Sequence, residues 1–172
     1  PEAVLINYQG CDAPIIESAH LMRTLNPKVG IVLLTQSPDL RLYGINEDSL
    51  PQGTQIVEKS ALTELRQLRD AIDSSINSGI DTCWLANDWD RALSSLTDIQ
   101  IETLRLLALG LSNSDIGRAR FVSEKSVEQT IGRIAHHLQV SHEHGRNMRV
   151  ILAAEYFRWL GAPKRHIFTS RP

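Results

Sequence analysis

Cysteine is scarce: Cys11 and Cys83 are the only two. They are too few and too isolated for a disulfide framework and suit a reducing compartment. Long apolar runs are missing too, and no stretch reaches the ~18 residues that a membrane-spanning helix needs. No signal peptide is visible, and with a start at Pro1 rather than Met the expectation is that an N-terminal part is missing. The expected location is therefore the cytoplasm. Catalytic signatures are absent as well. The chain carries no Gly-rich phosphate loop, no nucleophile elbow and no carboxylate pair in a strand-end setting. Neither an enzyme nor a cofactor is expected. His136, His137, His142 and His144 crowd one region. The first two are helix neighbours that point apart and no Cys lies near, so no metal site is expected.

What is present is unevenly charged. The net charge is only −2. Residues 1–95 carry 7 Lys and Arg against 13 Asp and Glu, whereas residues 96–172 carry 11 against 7. The first part is thus at −6 and the second at +4. A basic second half suits a polyanion; an acidic first half does not.

The stretch from Leu96 to Val140 reads as three helices joined by two tight connections. Thr97 and Gln100 form a capping-box pattern that starts a helix near Asp98. Ile99, Thr103, Leu104, Leu106 and Leu107 are its expected buried face, and Gly110 ends it. Ser112 and Asp115 repeat the N-cap pattern for a short helix over 113–119, after which Phe121 and Val122 are expected to pack inward. Ser123 caps a third helix from Glu124 to about Leu138. On it Val127, Ile131, Ile134 and Leu138 share one face. Lys125, Gln129, Gly132 and His136 share another, with Arg133 beside them. Amide, guanidinium and imidazole groups on an exposed helix face suit a DNA groove. A further helix is expected over 147–160, with more apolar groups than one intradomain face needs.

This pattern resembles the LuxR-type helix-turn-helix domain of bacterial transcription regulators, as found in NarL/FixJ response regulators. Leu96-Thr97, Glu102, Leu104, Gly110-Leu111-Ser112-Asn113 and Ile116 carry the likeness, followed by Val122-Ser123, Ser126-Val127, Ile134, Leu138 and Val140. The resemblance implies a four-helix all-α domain over 96–162, followed by a tail over 163–172. Its third helix would enter the major groove and its fourth would make a homodimer contact through Val150, Ile151, Ala154 and Phe157. Three positions depart from the family: Gln100 where an acid is frequent, Arg120 where leucine is usual, and Glu128 where a base often meets DNA. Side-chain chemistry makes Gln129 and Arg133 the base-edge candidates, with Glu128 as a third through cytosine N4. Arg118, Arg120, Lys125 and His136 are phosphate candidates, which position the protein without specifying sequence. The expected partner is double-stranded DNA. The alternative is a protein–protein interaction module whose helix-turn-helix only dimerises.

Residues 1–79 alternate strand-like and helix-like segments. Ala3–Ile6, Val29–Leu34 and Gln55–Val57 read as buried parallel strands. Helices are expected over Ile15–Leu25 and from Ala61 to about Ile76, the latter with Leu62, Leu65, Leu68, Ala71 and Ile72 on one side. That order predicts an α/β partial domain with right-handed crossovers. Between the second and third strands, Gly44, Pro51 and Gly53 predict mostly loop. Residues 80–95 are expected to be a linker anchored by Trp84 and Trp89.

The arrangement looks like the C-terminal half of a response-regulator receiver. The resemblance places Asn7 where the phosphorylated aspartate stands, Thr35 at the switch Ser/Thr and Lys59 at the active-site lysine. Ile56 stands where an aromatic switch residue is usual, and Ser60 replaces the proline that follows the lysine. An aspartyl phosphate needs a carboxylate nucleophile, which an Asn amide is not. The expectation is an atypical receiver that is not switched by phosphorylation, with the edge of its first strand either bared by removal of an N-terminal segment or covered by a partner chain.

Overall fold

The computed structural model describes residues 1–8, 14–77, 84–85, 91–140 and 147–161. The chain divides into two units, 1–96 and 97–172.

Short apolar runs bounded by loops become the strands of the first unit. β1 (Ala3–Asn7), β2 (Gly30–Thr35), β3 (Gln55–Glu58) and β4 (Trp84–Leu85) lie in that order, all parallel. The register sets Ile6 beside Leu33 and Leu33 beside Ile56. Alternation along β2 divides the core between the two sheet faces. Ile31 packs with Ala19 of α1 (Ile15–Leu25), and Leu33 with Ile15 and Ile56. On the other face Val32 and Val57 pack with Ala71 of α2 (Leu65–Asn77). Helices on both faces of a parallel sheet are the α/β layering that the strand and helix order predicts. α2 crosses the start of β2 so closely that a Cβ on Gly30 would lie 2.3 Å from Ser75 Oγ. Glycine there is a packing requirement. Among the described residues β1 is paired on one side only, and Leu5 on it is 46% exposed.

Several expectations for this unit need correction. Residues 80–95 are not simply a linker. Trp84 and Leu85 form β4 beside Ile56 and Val57, and α3 (Arg91–Ser94) follows with Leu93 buried. A central buried strand such as β3 would otherwise present unpaired backbone on that side. Leu96 belongs with this unit, its carbonyl accepting from the Arg41 guanidinium at 3.1 Å. Trp89 and the side chain of Trp84 lie outside the described residues. α2 starts at Leu65, and Leu65 is 87% exposed rather than packed. It sits in the first turn, ahead of the buried line through Ala71 and Ser75. The segment after β2 is loop broken by 3₁₀ turns at Leu40–Tyr43 and Glu47–Ser49, capped by the Asp39 and Asn46 side chains. Leu40, Leu42 and Ile45 from this segment are buried, so it supplies core as well as connection.

The second unit holds α4 (Asp98–Ala108), α5 (Asn113–Arg120), α6 (Glu124–His137) and α7 (Met148–Trp159). The expected capping box closes α4: Thr97 N donates to Gln100 Oε1 at 2.9 Å, and Gln100 N to Thr97 Oγ1 at 3.3 Å. Gly110 follows α4 with φ +90°, a backbone that side chains with a Cβ rarely adopt. Ser112 and Ser123 cap α5 and α6 as expected, accepting from Asp115 N at 3.1 Å and Ser126 N at 3.2 Å. The core contains Ile101, Leu104, Ile116, Val127 and Ile134 together with Leu152, Tyr156 and Trp159 of α7.

Three apolar residues are placed differently from expectation. Ile99 is 58% exposed, because it stands in the first turn of α4 where no neighbouring helix covers it; Ile101 is buried instead. Phe121 is 95% exposed and Val122 is 38% exposed. Phe121 is the C-cap of α5 at φ 55° and ψ 41°, and this left-handed turn aims the ring outward. The turn itself is tight. Val122 N donates to Gly117 O at 2.9 Å, and a Cβ on Gly117 would lie 2.8 Å from Val122 O.

Candidate nucleic-acid interface

Helix α6 has two faces because its apolar residues recur at helical spacing. Val127, Ile131, Ile134 and Ala135 are buried. Lys125, Glu128, Gln129, Gly132, Arg133 and His136 are all exposed. At about 100° per residue, Lys125, Gln129, Gly132, Arg133 and His136 fall on one arc, with Glu128 at its edge. The sequence-derived groove residues are therefore brought together on one solvent-facing surface. Beside it lies an open concavity lined by Gln100, Gln129, Gly132, Arg133, His136 and His137.

The charged groups differ in how free they are. Among the described residues neither Lys125, Glu128 nor Arg133 has an ion-pair or hydrogen-bond partner. Each is available to an outside group. Arg118, a phosphate candidate, is exposed but pairs with Asp115. The Ser112 hydroxyl, with Arg118 adding to it, holds the Asp115 carboxyl below its ordinary range. Arg120, expected on phosphate, is turned inward. Its Nη1 donates to Thr103 Oγ1 at 2.5 Å, and Thr103 is fully buried and itself donates to Ile99 O at 2.7 Å. A long side chain with a cationic head fits this half-buried position because Thr103 offers its head an acceptor. Arg120 is thus a helix-to-helix brace within the unit.

Two residues that frame this surface escaped the sequence reading. Gly117 allows the turn backbone of Val122–Glu124, which leads into α6, to close on α5. Its signal is faint, since a helical glycine reads only as a weak helix former. Arg149 ties α7 to the connection before α5, donating to Asn113 Oδ1 and to Leu111 O, each at 2.5 Å. Nothing in sequence spacing joins positions so far apart. Arg149→Ala should lower the urea midpoint, removing about 1–3 kcal/mol through two lost charge-assisted hydrogen bonds.

α7 divides its apolar residues. Leu152, Tyr156 and Trp159, at i, i+4 and i+7, face the core. Val150, Ala154 and Phe157 share another face and are exposed, and Ile151 is half-buried between the two sets. In the first unit, the register carries Asn7, Thr35 and Lys59 to the carboxyl edge of the sheet. Asn7 is exposed, whereas Thr35 is fully buried and its Oγ1 has no hydrogen-bond partner among the described residues. Nearby, Tyr43 accepts from Ser37 N at 3.1 Å, and burial raises its phenol above the ordinary range. His142 and His144 lie outside the described residues, as do Cys11 and Cys83. No helix among the described residues is long and apolar enough to cross a membrane.

Comparison with curated proteins returns no match. A family model does match: residues 94–145 fit the one described as bacterial regulatory proteins, luxR family. The match takes in α4, the tight turn after α5, and the two-faced α6, and it ends before α7. Over residues 94–145 the chain is therefore similar to the luxR family of bacterial regulatory proteins.

Proposed function

We propose that the chain is a sequence-specific DNA-binding transcriptional regulator whose α6 enters the major groove. The single observation that carries this reading is the exposed arc of Lys125, Gln129, Gly132 and Arg133, set on a helix whose opposite face is buried. An α-helix fits the width of the major groove, and Gln and Arg offer the paired donors and acceptors that adenine and guanine present there. Gln129 and Arg133 read base edges, with Glu128 beside them. Lys125, Arg118 and His136 hold phosphates and set the register. A homodimer formed through Val150, Ala154 and Phe157, with Ile151 at the margin, places two reading heads on paired half-sites. Such a regulator works in the bacterial cytoplasm.

The N-terminal unit acts as an atypical receiver in this reading. Asn7 supplies no carboxylate to accept a phosphoryl group, so the unit passes on some signal other than aspartyl phosphate. Incubation with acetyl phosphate and Mg²⁺ should leave the intact mass unchanged; one acid-labile phosphate per chain would refute this part. The DNA reading is tested by enrichment of a random duplex library on the full chain. A recurrent motif with related half-sites is the expected product. A pool that stays random after repeated rounds would contradict it.

A further inference from the structure

Gly132 stands in the middle of α6, where glycine is about 1 kcal/mol less favourable than alanine. A glycine inside a helix is normally explained by something packed against it. At Gly117 that something is the turn backbone, 2.8 Å from where a Cβ would sit. At Gly132 there is nothing: a Cβ would meet no heavy atom within 4 Å. The helix therefore carries an unfavourable residue that nothing in the described chain requires.

The surroundings indicate what it does instead. Gly132 lies on the exposed arc, in the concavity lined by Gln100, Gln129, Arg133, His136 and His137. Every side chain in that rim can donate a hydrogen bond, and no carboxylate lines it. Gln100 accepts through Oε1 within its capping box, and among the described residues its amide nitrogen has no partner. Arg133 is unpaired as well. A bare backbone ringed by donors suits an edge rich in acceptors that comes within backbone distance of the helix.

We propose that Gly132 is the point of closest approach between α6 and the duplex. It admits the major-groove edge of a purine, whose N7 is an acceptor common to adenine and guanine, between Gln129 and Arg133. The inference rests on the DNA-binding reading above.

Gly132→Ala in the full chain tests it, with thermal unfolding and duplex affinity measured side by side. The duplex is one enriched from a random library by the parent chain. The substitution should raise the unfolding midpoint by a few degrees, as the better helix former. It should also weaken binding about tenfold or more, by filling the space the purine needs. In the parent chain, replacing one purine of the half-site by its 7-deaza analogue should weaken binding comparably. A variant that binds as the parent does, or that unfolds at a lower temperature, overturns the proposal, as does insensitivity to every single 7-deaza replacement. If the parent enriches no duplex, the DNA-binding reading fails and this inference fails with it. If the parent selects a site but the variant is indifferent, only the inference fails.

Discussion

Phe157→Glu should weaken binding to a duplex carrying two half-sites by about 10²–10⁴-fold, the range over which two linked contacts exceed one. Binding to a single half-site should stay nearly unchanged. The face formed by Val150, Ala154 and Phe157 is apolar and exposed, while α7 anchors itself through Leu152, Tyr156 and Trp159. A two-fold contact brings the same residue from both chains to one axis, so a substitution at Phe157 acts twice. Two carboxylates would then face each other in an apolar contact, which costs both burial and repulsion. Phe157 also stacks edge-on to Tyr156, with ring centroids 5.3 Å apart. Val150→Glu is therefore the companion variant, since Val150 is 59% exposed and is not part of that ring pair. Sedimentation should show both variants shifted to monomer. Unchanged two-site binding by both would mean that α7 is not the dimer face.

Arg133→Ala should relax base preference at one position of the half-site, by about 1–3 kcal/mol. Arg133 is exposed, unpaired among the described residues, and adjacent to Gln129 on the reading arc. Nothing among the described residues pairs with it, so the loss should appear in recognition and not in stability. Lys125→Ala is the contrast. A phosphate contact weakens binding evenly across sequences and reduces the salt slope by about 1. If Arg133→Ala also produces an even loss over all four base pairs, Arg133 holds phosphate and Gln129 is left as the principal reader.

Local chemistry made most of the second unit legible in the sequence. Thr97 with Gln100, Ser112 and Ser123 each mark a helix start because the hydroxyl bonds the backbone of its own first turn. That information is carried within three residues. The two faces of α6 were equally readable from the spacing of Val127, Ile131 and Ile134. Placement that depends on distant partners was not readable. Phe121 looked like a core residue by its chemistry, but its left-handed backbone aims it at solvent. Arg120 looked like a phosphate ligand, but Thr103 accepts its guanidinium from 17 positions away. Ile99 and Leu65 failed for one reason: each stands in the first turn of its helix, where helical spacing continues but the covering neighbours do not.

The first unit shows the same division. The continuous apolar run of Ile31, Val32, Leu33 and Leu34 identified a buried parallel strand. β4 was hidden, because Trp84 and Leu85 are too short a run to carry a period. Its pairing with β3 is set by the sheet and not by its own residues.

A salt-dependent comparison of two duplexes measures most directly whether α6 reads DNA sequence. The full chain is titrated with the duplex it enriches, and with a scrambled duplex of the same length, at several salt concentrations. The selected duplex should bind about 10³-fold or more tighter at physiological salt. Both affinities should fall linearly in log–log form as counterions are released. Equal affinity for the two duplexes at every salt concentration would contradict the account.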